Sequence, residues 1–127
     1  MDAQQEFFTR LKQELEAMGY AVYDGFLPPE NTPYPFIYLG DFRQNDIFTK
    51  CGAYGKVYPM IHVWHNKPNQ RGTVSKMVLD IKRAFVKIDR TENFSWNAQN
   101  VTGRILADKT TKTPLLHGVA EAELLFS

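Results

Sequence analysis

The sequence predicts an α+β fold: two layers, with a mainly antiparallel sheet of four to five strands and two helices on one of its faces. Three observations lead there. Two segments carry apolar residues at helical period, and several others alternate apolar and polar residues as strands do. The long strand-like segments also come in pairs, joined by connections too short for a parallel crossover. A chain of 127 residues, 43% hydrophobic and 23% charged, has material for one ordinary globular core, and residues 1–127 read as a single domain.

Residues 2–18 form the first predicted helix. Phe7, Leu11, Leu15 and Met18 make one apolar stripe, Asp2 suits the N-cap with Gln5 three residues on, and Gly19 suits a left-handed C-cap. Residues 20–23 read as a short strand. The stretch 24–35 holds four of the seven prolines and reads as an extended connector. From Pro35 the period becomes that of a strand through Phe42. Residues 43–56 are polar, with Gly52 and Gly55, and are expected to form an extended loop between this strand and the next, 57–65. Residues 66–72 are a turn. The clearest helix is 73–88, where Val74, Met77, Val78, Ile81, Phe85 and Ile88 share a stripe. Residues 89–100 are expected to be loop, pinned by Phe94 and Trp96. Strands follow at 101–108 and 116–126, with a turn at 109–114 between them. The last strand puts Leu116, Gly118, Ala120, Ala122, Leu124 and Phe126 on one face, and its small residues invite close approach by a helix. Ile81 and Phe85 are expected to pack there.

Enzyme chemistry finds little purchase in this pattern. His62 and Trp64 share a strand face while His65 points to the other. A metal site would need His117 and Cys51 to converge from distant segments with no recognised ligand spacing. There is no G-x-S-x-G elbow, no phosphate-binding loop and no G-x-G-x-x-G. Glu121 and Glu123 alternate on a terminal strand as solvated charges commonly do. The reading therefore names no catalytic residue, cofactor or metal. A small ligand-binding domain or enzyme using the His62/Trp64 face is the alternative. One cysteine excludes an internal disulfide framework, and no apolar run approaches a membrane span. The N-terminus is polar and acidic, unlike a signal peptide.

Charge is unevenly placed. The chain carries +1 overall, but residues 1–30 carry −4 and residues 67–90 carry +5. No global basic field argues for specific nucleic-acid binding. The sharper expectation is a head-to-tail contact between copies, with Glu14 and Glu16 of one meeting Arg83 and Lys87 of the next.

Four stretches taken in order carry a family resemblance. They are the N-terminal amphipathic helix and, after the prolines, Pro35-Phe36-Ile37-Tyr38-Leu39-Gly40. The strand 57–65 follows, with its His62-Val63-Trp64 core and the run through Gly72 into the helix Val74 to Phe85. The last is Leu116-His117-Gly118-Val119. Across residues 5–126 this order resembles the tail-completion proteins of long-tailed bacteriophages and prophages, which include tail terminator and tail-to-head joining proteins. His65 stands where such proteins often carry a small polar residue. The resemblance implies a non-enzymatic α+β subunit of a homo-hexameric ring in the tail or neck of a virion. It would be assembled in the bacterial cytoplasm, with the major tail tube protein and a head-completion or connector protein as partners. On that reading the polar segment, with Arg43, Gln44, Asn45, Asp46, Lys50, Tyr54 and Lys56, is the expected assembly loop, becoming ordered against a neighbour or the tube.

Overall fold

Asp2 starts the first helix by accepting a hydrogen bond from the Gln5 backbone N–H at 3.2 Å, which satisfies one of the free donors of the first turn. The computed structural model describes residues 2–25, 28–29, 31–49, 52–109 and 114–127, and the side chains of residues 41, 48, 49, 52 and 53 are left out of that description. Helix α1 runs Ala3–Ala17, and Gly19 follows with φ +94°, the left-handed turn that ends it. Then come β1 (Val22–Asp24), β2 (Phe36–Thr49), β3 (Gly52–His65), α2 (Arg71–Lys87), β4 (Trp96–Asp108) and β5 (Leu115–Phe126).

The five strands form one sheet in the order β1-β2-β3-β5-β4. β1 pairs with β2 in parallel over residues 22–24, and every other pairing is antiparallel. α2 lies across β5, β4 and β3, with α1 beside it and against β1. The α+β prediction of two helices over one face of a mainly antiparallel sheet holds.

The predicted stripes are the buried ones, except at Met18, which lies past the last turn of α1 and is 43% exposed. Phe7, Leu11 and Leu15 from α1, and Val74, Met77, Val78, Ile81 and Phe85 from α2, meet Ala120, Ala122 and Leu124 of β5 in one core. The close approach of α2 has a local cause. A Cβ added at Gly118 would stand 2.7 Å from Val78 Cγ2, and one added at Gly103 would stand 2.6 Å from Val78 Cγ1. The two methyls of Val78 thus rest on two glycines of neighbouring strands, a depth that no side chain there would allow.

Two expectations need correction. The described residues of 43–56, 43–49 and 52–56, are strand and not loop: Arg43 faces Tyr58, Gln44 faces Val57, Asn45 faces Lys56 and Asp46 faces Gly55, and the ladder runs on to Thr49 and Gly52. Cross-strand pairing supplies the backbone partners, so a polar sequence with two glycines is strand despite its composition. Residues 96–100 are likewise strand, held against β5 from Phe126 to Glu123. Trp96 is nonetheless the anchor expected. Its ring lies 4.7 Å from Phe7, and its Nε1–H donates to Thr91 Oγ1 at 2.8 Å.

Candidate functional site

Two features remain once the core is accounted for: a hairpin arm and the sheet face that the helices leave open. The arm is the outer half of β2 and β3. β1 covers β2 at residues 37–39, and β5 ends against β3 at the Gly55–Phe126 pair. Among the described residues, the backbone edge of β2 from Phe42 to Thr49 therefore pairs with β3 alone, and β3 from Gly52 to Tyr54 extends past β5. An unpaired edge of this length is a template for another strand.

The expected assembly residues all map to this arm, apart from Lys50, which lies outside the described residues, as does Cys51. Arg43, Asn45, Tyr54 and Lys56 occupy register positions on the open face, opposite the side that carries Gln44 and Asp46. The Arg43 guanidinium sits 4.6 Å from the Tyr58 ring centroid, and Gln44 donates to Asp46. Where the arm leaves the sheet it bounds a groove of about 620 Å³, lined by Ile47, Tyr54, Tyr58, Trp96, Leu125 and Phe126 among others. Ile47 and Tyr54 are 51% and 45% exposed, apolar surface that the fold itself leaves uncovered.

Farther along the open face stands a row of rings that sequence reasoning did not assemble. His62 on β3 and His117 on β5 approach at 2.7 Å between Nδ1 and Nε2, so one donates and the other accepts. Trp64 stacks on His117 with centroids 3.9 Å apart and planes within 7°, and Tyr38 stacks on the other side of His62. Burial, then the charge of His62, depress His117 to about 4, with Arg104 acting the same way and Asp108 opposing. His117 is thus held neutral around neutral pH. The missing signal was register: Trp64 faces His117 and His62 faces Val119, pairs 53 and 57 positions apart in the chain. His65 points to the helix side, is 2% exposed, and has Nε2 2.7 Å from Gln70 Oε1. Among the described residues, no group of three or more His, Cys, Asp or Glu side chains is placed to hold a metal ion.

The expected contact between copies meets a second finding. Lys87 reaches Glu14 within the same chain, Nζ to Oε2 at 2.8 Å, and Arg10 bonds Glu14 at 3.1 Å. Those bonds, led by Lys87, hold the Glu14 carboxyl below its usual range. α1 and α2 lie side by side, so the acidic and basic segments answer one another inside the monomer. Glu16 and Arg83 remain exposed. The chain just past α1 is tied to the middle of α2 as well: Tyr20 and Lys76 both donate to Asp80, whose carboxyl is raised by burial but brought below its usual range by those bonds.

Comparison with known proteins bears on the fold. No protein-family model and no curated protein matches the chain. Among solved structures, a chain from the virion of a native gene transfer agent particle is similar, with TM-score 0.63 and 20% identity over 97% of this chain and 94% of that one. A second solved protein matches with TM-score 0.59 and 10% identity, over 96% of this chain and 92% of the other. At these identities the likeness establishes a shared fold from end to end.

Proposed function

We propose that this protein is a structural subunit of a phage-like virion, and that within it the subunit builds the ring that completes the tail. The observation that carries the reading is the end-to-end structural likeness to a chain of a gene transfer agent virion. The resemblance of the ordered sequence segments to tail-completion proteins supports the finer part. On this reading the subunit works by geometry, without catalysis. Six copies form a ring that matches the tube's symmetry, occupies its growing end against the major tail tube protein, and offers its other side to the head-completion or connector protein. The subunits assemble in the bacterial cytoplasm and end in the tail or neck of the virion. The hairpin arm, with its free edge and apolar flank, is the element suited to engage a neighbour.

Shortening the arm tests this. Residues 47–54 are replaced by an Asn-Gly turn, which keeps the Asp46–Gly55 pair and the ladder inward of it. The variant is expected to fold and melt close to the wild type, while tails assembled with it are uncapped, overlong or headless by electron microscopy. Normal tails, or an unfolded domain, would refute the assignment.

A further inference from the structure

Helix α2 shows solvent a face that is apolar at its ends and cationic between. Leu79, Lys82, Arg83 and Val86 follow i, i+3, i+4 and i+7, so they share one side of the helix. Val86 is 64% exposed and Leu79 40%, the former the most exposed large hydrophobic among the described residues. On the opposite side of the molecule, the open sheet face holds a cleft of about 540 Å³ with the inverse pattern. Met60, 36% exposed, gives it apolar surface, Tyr58 and Thr102 flank it, and Glu121 and Glu123 supply carboxylates. Arg43 also lines the cleft but lies over the Tyr58 ring. Arg104 touches Glu121 at 3.5 Å with both side chains well exposed, and Asn100 donates to Glu123. A loose exposed pair of this kind exchanges readily for a better partner.

We propose that these two surfaces are the halves of one contact between copies: the Leu79–Val86 face of α2 in one subunit seats on the Met60/Glu121/Glu123 cleft of the next. Val86 covers Met60, and Lys82 and Arg83 meet the two carboxylates. A patch meeting its own kind would set Lys82 and Arg83 against like charge, or Glu121 and Glu123 against like charge. Because α2 and the open face lie on opposite sides of the sheet, two subunits cannot make both unlike contacts at once. The contact is therefore heterologous, and it propagates until rotation closes it into a ring. The proposal deepens the ring reading and rests on it for that closure. It also replaces the Glu14–Lys87 pairing, which the monomer already uses.

A heterologous contact has a diagnostic behaviour. Val86→Asp blocks the helix face and leaves the cleft intact, whereas Glu123→Arg does the reverse. In sedimentation velocity at low salt, the wild type is expected to associate as its concentration rises. Each variant should need at least about tenfold more protein to do so. Mixed in equal amounts, the two should form a 1:1 dimer through their single intact pair of faces, and nothing larger. Circular dichroism confirms that both are folded, and Arg83→Glu with Met60→Asp provides a second blocking pair. A wild type that stays monomeric, variants that associate like the wild type, or a mixture that stays monomeric would each overturn the contact. Variants that still form wild-type rings would overturn it while leaving the ring reading in place. Uncapped tails despite intact self-association would do the opposite.

Discussion

Gly118 is the position where the packing of the two layers is most sharply tested. Substituting alanine places a Cβ 2.7 Å from Val78 Cγ2, 2.9 Å from Val74 Cγ1 and 3.3 Å from Val63 Cβ. All three neighbours are buried, at 5% exposure or less, so none swings into solvent. Overpacking of this kind costs about 1–3 kcal/mol. Against it, removing a glycine from the unfolded chain contributes about 0.4–1 kcal/mol of stability. The net expectation for Gly118→Ala is a loss of up to about 2.6 kcal/mol, or up to roughly 10 °C in Tm for a domain of this size. The cause is checked by a second substitution. Val78→Ala alone removes two buried methyl groups and loses about 2 kcal/mol or somewhat more. In the double variant the new Cβ occupies the space those methyls leave, so the losses should fall short of their sum by about 0.5–3 kcal/mol. Urea denaturation of the four proteins measures this directly. Additive losses, or a Gly118→Ala variant more stable than the wild type, would refute the claim that these glycines set the depth of α2.

Phe85→Ala should cost about 3–5 kcal/mol because the ring is fully buried, whereas Val86→Ala one residue on should change stability by less than about 0.5 kcal/mol; equal melting temperatures would contradict the helix orientation. His117 is depressed to about 4, so the folded state disfavours its proton while the unfolded state takes one up near the ordinary histidine value. Its contribution is therefore complete above about pH 6.5 and lost as pH falls toward 4, and His117→Gln should flatten the stability profile across that window. Lys87→Glu should lower monomer stability by up to about 1 kcal/mol at low salt and less at high salt, since it breaks an exposed intrachain pair. A salt-independent effect on the monomer would refute that account.

Much of this fold is legible without coordinates, because its signals are local. The Asp2 cap, the Phe7–Leu11–Leu15 stripe and the Gly19 terminator all lie within one helix, and each acts through neighbours a few residues away. The α2 stripe and the alternation of β5 are readable for the same reason: burial on one face selects a period. The arm and residues 96–100 were not readable, since Gln44-Asn45-Asp46 and Asn97-Ala98-Gln99-Asn100 have poor strand composition. They are strand because a partner ladder meets them. The chain alone determines two amphipathic helices, paired antiparallel strands, small residues where a helix comes close, and an uneven distribution of charge. Tertiary structure decides the strand order, the Glu14–Lys87 pair across 73 positions, the His62–His117 bond across 55, and which apolar residues stay in solvent. The reason is physical. Period and capping are set by interactions within a few residues, whereas register and pairing depend on which distant segments share a face, and many arrangements of the same local elements satisfy the local rules equally well.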